Sequence, residues 1–102
     1  MNEVEHQDRY GYVRGMVGQT TNRRAYLARL IVSNESQRRQ RHGHRLLHLF
    51  IEAATTAGDT TMYTQVDPDR SNDFAGVVAF LQHEGFTLDH DMPDGPIYSK
   101  NL

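Results

Sequence analysis

The sequence predicts a mixed α/β (α+β) fold, a mostly antiparallel central sheet with two packed helices in the order β-β-α-β-α-β-β. Three observations carry this expectation. Two segments repeat apolar residues at helical spacing, one with Leu46, Leu47, Phe50, Ile51 and Ala54 and the other with Phe74, Val77, Val78 and Leu81. Short runs rich in β-branched and aromatic residues stand before, between and after them. The length of 102 residues, 37% hydrophobic and 24% charged, fits one compact domain over 1–102 with a modest core.

Taken in order, residues 1–9 hold Val4 as their only internal apolar position and read as an edge strand or a frayed end, outside the counted order. Tyr10 to Val17 reads as the first counted strand. A polar turn over Gly18 to Arg24 leads to the second, Ala25 to Val32, and the two make a hairpin. The first helix is expected from about Gly43 to Ala57-Gly58, where glycine supplies a left-handed cap. Thr60 to Val66 is threonine-rich and reads as a strand parallel to Ala25 to Val32, with the helix as crossover. The turn Asp67 to Asp73 opens a second helix that stops at Gly85. Phe86 to Leu88 and Pro96 to Ser99 then close the sheet as a hairpin across Asp94-Gly95.

Composition excludes several classes of function. Without cysteine there is no disulfide framework and no thiol nucleophile, which suits a cytoplasmic protein. The longest apolar runs fall far short of a membrane span, and the acidic N-terminus lacks the layout of a signal peptide. The net charge of −2 hides an asymmetry: residues 1–45 hold nine arginines against four acids, and residues 46–102 hold Arg70 and Lys100 against nine acids. A basic half suits a phosphate-bearing ligand, and an acidic half can steer an amine.

The basic half is concentrated in Arg38-Arg39-Gln40-Arg41-His42-Gly43-His44-Arg45, between a strand and a helix. The first amides of a helix have no internal acceptor, and their summed partial charge favours an anion there. Two other readings compete: a solvated charged loop, and a nucleic-acid patch built from Arg38, Arg39, Arg41 and Arg45 with Arg23 and Arg24. Against nucleic acid stand the pI near 6.3 and the lack of aromatic residues within the run. His44, His48 and Glu52 share a helix face, but spacing places no further ligand nearby except His42, so no metal is assigned. The Asp67 to Asp73 turn fails as a calcium loop, because Asn72 stands where glycine is required and Val78 where the glutamate belongs.

These residues resemble the general N-acetyltransferase (GNAT) superfamily, whose signature is a hydrophobic strand, Arg or Gln, two residues, Gly, one residue, Gly or Ala, and a leucine-bearing helix. Here Ile31-Val32 ends the strand, Arg38 takes the Arg/Gln position, Arg41 stands at the first glycine, Gly43 takes the second small position and Leu46-Leu47 follow. Asn72, Phe80-Leu81 and Gly85-Phe86 match at the family's downstream spacing, so the resemblance covers roughly residues 10 to 99, a short form without the usual first strand and two helices.

The resemblance implies acetyl-CoA as acyl donor. Its pyrophosphate would be cradled by the backbone of Arg39, Gln40, Arg41, His42, Gly43 and His44, with arginine side chains adding contacts. Its pantetheine arm would lie along Ile31 and Val32, where the strands splay, and near Asn72. A backbone amide there would polarise the thioester carbonyl. Leu81 occupies the place of a frequent tyrosine acid, and no glutamate lies on Tyr26 to Arg29, so Tyr26, Asp67 or a water relay is left as the base. The acceptor implied is a primary amine, on a small molecule or a protein lysine. An open acceptor side suggests a large substrate or a homodimer, and a catalytically inactive acyl-CoA-binding relative is the other outcome.

Overall fold

The computed structural model describes residues 2–19, 21–32, 39–66 and 74–102. Along the chain run β1 (Asn2–Asp8), β2 (Gly11–Val17), β3 (Arg24–Val32), α1 (Arg39–Thr56), β4 (Thr61–Gln65), α2 (Phe74–His83), β5 (Thr87–Met92) and β6 (Gly95–Asn101). The six strands form one sheet in the order β1-β2-β3-β4-β6-β5. Every pairing is antiparallel except β3 with β4, whose crossover through α1 is the expected one.

Three boundaries depart from expectation. The order gains a strand, because residues 2–8 pair with β2 along their whole length. An edge strand needs little apolar content when one face meets water, and here Val4 alone of its large apolar residues packs on the core. Helix α1 begins at Arg39, so Gly43 lies in its second turn and not in the turn before it. Finally, β5 runs to Met92 although every residue in it is exposed, because backbone pairing with β6 suffices to extend it.

Both helices lie on one face of the sheet. Leu46, Leu47 and Phe50 from α1 are buried against Val13, Ala25, Leu27 and Met62; full burial of a side chain such as Phe50 contributes about 1.5–3 kcal/mol. Phe50 packs over Gly15, where an added Cβ would stand 2.5 Å from the ring and 2.1 Å from the Tyr26 carbonyl oxygen. Register partners share a face, so Tyr26 and Tyr63, paired across β3 and β4, point to the side that carries neither helix.

The sheet changes character beside Gly15. Arg14 lies opposite Arg29 and Gly15 opposite Leu27, which makes Ala28 the extra residue of a β-bulge. The bulge resets the alternation, so that Leu27 and Leu30 both face the helices. Just there β3 leaves β4: only Arg24–Tyr26 pair with Thr61–Tyr63. Beyond the last rung, the Thr64 hydroxyl donates to the Leu27 carbonyl at 2.8 Å.

Both helices end in the same way. At α1, Gly58 has φ +91° and the Gly58 and Asp59 amides donate to the Thr55 and Ala54 carbonyls. At α2, Gly85 has φ +93° and the Gly85 and Phe86 amides donate to Gln82 and Leu81. This is the glycine-terminated motif expected at both positions, and it satisfies carbonyls that the helix leaves unpaired. Among the described residues, no helix is long and apolar enough to cross a membrane.

Candidate functional site

The site grows from the start of α1 and the parted end of β3. With Arg39 and Arg41 and no acid, the first turn of α1 brings cationic residues to the end of a helix that is itself partially positive. Such an arrangement opposes folding locally and favours an anion in front of the helix. Arg41 is exposed and has no partner among the described residues.

The neighbouring basic groups are already engaged. The His42 ring stacks on Tyr10 with centroids 4.0 Å apart and planes inclined by 13°. Arg45 pairs with Asp8, which also accepts from the Tyr10 amide at 2.7 Å and the Gly11 amide at 3.1 Å. The Arg45 guanidinium and then the Tyr10 amide hold the Asp8 carboxyl below its ordinary value. The turn between β1 and β2 is thereby fastened to α1. His44 Nδ1 donates to both carboxylate oxygens of Glu84, at 2.5 and 2.9 Å, so this ring is directed toward the end of α2.

Gly43 is buried between two neighbours. A Cβ on it would stand 3.2 Å from Phe80 Cζ and 3.7 Å from Val32 Cγ2. The missing side chain therefore admits α2 close to α1 and to the end of β3. Its own amide and that of His44 fall past the first turn and are used within the helix, so the amides without an acceptor inside the helix are those of the first turn.

Of the residues expected at the site, Val32, Gly43 and the start of α1 are brought together. Ile31, 45% exposed, and Tyr26 point to the opposite face of the sheet. The Tyr26 ring lies 5.0 Å from that of Tyr63, at the last rung before the strands part. The Arg24 guanidinium sits 4.7 Å over Tyr63 and 4.0 Å from Asp89. Arg38, Asp67 and Asn72 lie outside the described residues, and Arg39 and Gln40 are described by their backbone alone.

Sequence reasoning missed Tyr63, Tyr10 and Glu84. Tyr63 was accessible in principle, since a parallel register through Tyr26 puts the two tyrosines side by side. Glu84 was not: it lies 40 residues from His44, and no local pattern joins them.

No protein-family model matches the sequence, and no curated protein matches it. Solved structures do. The chain is similar to an aminoglycoside 6'-acetyltransferase type Ii, at 20% identity and a TM-score of 0.78 over 97% of this chain and 68% of that one. An acetyltransferase of the GNAT family from Staphylococcus aureus is similar at 21% identity and 0.75, over 95% and 62%. The PaiA N-acetyltransferase of Thermoplasma acidophilum, solved in complex with coenzyme A, is similar at 18% identity and 0.72, over 91% and 54%. The chain thus spans between 54% and 68% of the length of these three neighbours. Its fold is that of the GNAT acetyltransferases.

Proposed function

We propose that this chain binds acetyl-CoA and transfers the acetyl group to an amine. One observation carries the reading: β3 and β4 pair over three residues and then part beside a helix whose first turn carries arginines and no acid, and whose first amides have no acceptor within the helix. The parted strands offer room for a narrow arm, and the helix start offers charge and donors for a pyrophosphate. The neighbour solved with coenzyme A supports that choice of ligand.

On this reading, the first-turn amides, together with Arg38, Arg39, Arg41 and His42, hold the phosphates. The backbone of Ile31 and Val32 flanks the arm, with Gly43 and His44 behind it, and Asn72 is assigned a contact to the arm. Acetyl-CoA supplies an activated thioester whose acyl carbon an amine attacks. Tyr26 stands at the last rung of the closed ladder, where a group handling the amine's proton belongs, and Asp67 follows the end of β4. The exposed Asp91 and Asp94 of the β5–β6 hairpin supply a field that draws a cationic acceptor, either a small polyamine or a protein lysine. A second copy of the chain covering the helix-free face of the sheet would complete the acceptor side, in a cytoplasmic setting.

Nucleic-acid binding is the weaker reading, because Arg45 is held by Asp8 and His44 by Glu84. The burial of Leu81 at 4% exposure favours the second reading, an acyl-CoA binder that does not turn over, since this position supplies no acid to the leaving thiolate.

Calorimetry with acetyl-CoA tests binding. The wild type should bind with one site, and Arg41→Glu should weaken binding about tenfold or more, as loss of a charge-assisted contact costs on the order of 1.5–3 kcal/mol. Its melting temperature should not fall, since a carboxylate in the first turn suits the helix dipole. Coenzyme A release in the presence of amines separates enzyme from silent binder, and an absence of acetyl-CoA binding defeats both.

A further inference from the structure

We propose that His44, His48 and Glu84 form a binding site for a divalent first-row transition ion of the zinc class. The two histidines stand one turn apart on α1, exposed, with ring centroids 4.1 Å apart. Glu84 arrives from a different element, immediately after α2. One ligand atom from each of the three lies within 4.8 Å of the others.

The position of Glu84 is fixed by its backbone. The positive φ of Gly85 and the amides of Gly85 and Phe86 turn the chain sharply, and Lys100 Nζ donates to the Glu84 carbonyl oxygen at 2.8 Å. The carboxylate is thereby aimed at α1 with its side chain only 8% exposed. A carboxylate so withdrawn from water needs a cationic partner to offset its lost hydration. Among the described residues, the imidazole of His44 is the one group that ion-pairs with it.

The donor set is chemically apt. Two imidazole nitrogens and one carboxylate oxygen are borderline ligands that suit zinc and its neighbours and not calcium or magnesium. A tetrahedral ion with bonds of about 2.0–2.2 Å holds its ligands about 3.3–3.6 Å apart. The trio reaches that spacing with movements on the order of 1 Å, which exposed imidazoles make by rotating. On binding, the ion takes the place of the His44 Nδ1 proton that now bridges to Glu84, and that proton passes to solvent. Water completes the coordination at the open, fourth position. Glu52, the acid that helix spacing alone would choose, is not part of the group. The site shares His44 with the acyl-transfer reading, which calls on that residue's backbone and not its ring, and it ties α1 to the end of α2.

The test uses the full chain, without an affinity tag and stripped with a chelator, titrated with zinc by calorimetry and with cobalt followed by visible absorption. One ion per chain, a four-coordinate cobalt spectrum and a rise in melting temperature with zinc are expected. Changing a hydrogen-bond partner of a ligand typically costs 10- to 100-fold in metal affinity, so removing a ligand by His48→Ala or Glu84→Gln should cost about 100-fold or more. Circular dichroism of the metal-free variants should match the wild type, and His90→Ala should bind as the wild type does. Failure of zinc to saturate the wild type, or binding that survives both His48→Ala and Glu84→Gln, would overturn the proposal.

Discussion

The two ends of α1 follow opposite rules. At its C-terminal end Gly58 closes the helix, the following Asp59 is buried and accepts from the Gly18 amide at 2.9 Å, and β3 is laddered to β4. At its N-terminal end arginines meet a positive dipole, the first turn holds no acid, and the same two strands have parted. Local rules of stability are met at one end and broken at the other, the pattern expected where a fold reserves a place for a ligand. Even the closed end keeps an exception, Asp59 Oδ1, buried without a hydrogen-bond partner among the described residues.

The sharpest way to break this contrast is at the boundary between the two ends. Gly15→Ala would drive a Cβ into the Tyr26 carbonyl oxygen and the Phe50 ring, where the contact is mostly with backbone and cannot give. We expect a loss of about 3 kcal/mol or more, read from urea denaturation. A midpoint close to that of the wild type would mean that Phe50 and the Tyr26 carbonyl do not close over Gly15 as described.

A smaller effect separates the ends. Asp59→Ala removes the acceptor of the Gly18 amide and should cost about 1–3 kcal/mol. It should leave acetyl-CoA affinity unchanged, since nothing at the N-terminal end touches it. Equal losses in stability and affinity would show that the two ends act as one unit.

The smallest effect concerns the tie between Asp8 and Arg45. Because the folded state holds the Asp8 carboxyl below its ordinary value, the folded chain takes up this proton at lower pH than the unfolded chain does. The stabilisation is therefore complete above the ordinary carboxylate range and is lost as pH falls through the depressed value. Urea midpoints of the wild type and Asp8→Asn should differ by about 0.5 kcal/mol in stability near neutrality and converge as pH falls through the depressed value. A difference that grows on acidification would contradict the assigned direction.

Most of the architecture was legible because its signals are local. The periodicity of Leu46 to Ala54, the threonine-rich β4 and the glycines at 58 and 85 each reflect a rule that acts within a few residues. What escaped depends on contacts across the chain. Gly43 reads as a turn residue by itself, and only the ring of Phe80 explains why a helix accepts it in its second turn. Ala28 carries no mark of a bulge, since the extra residue arises from the register of β2 against β3. Val4 by itself could not distinguish a paired edge from a frayed one. The basic start of α1 was readable as an arginine-bearing helix end, but the pairing of His44 with Glu84 was not, because it depends on where α2 stops.

The sheet order also bears on how the molecule is made. Strand β6 lies between β4 and β5, yet leaves the ribosome after both. Until it arrives, β4 waits with an unsatisfied edge and β5 has no strand to pair with, so the nascent chain presents adhesive backbone while β1 to β3 can already zip together. Completion of the fold is thus a late insertion, and a polar, aspartate-rich β5 is well suited to that wait, since its charges discourage association with another chain.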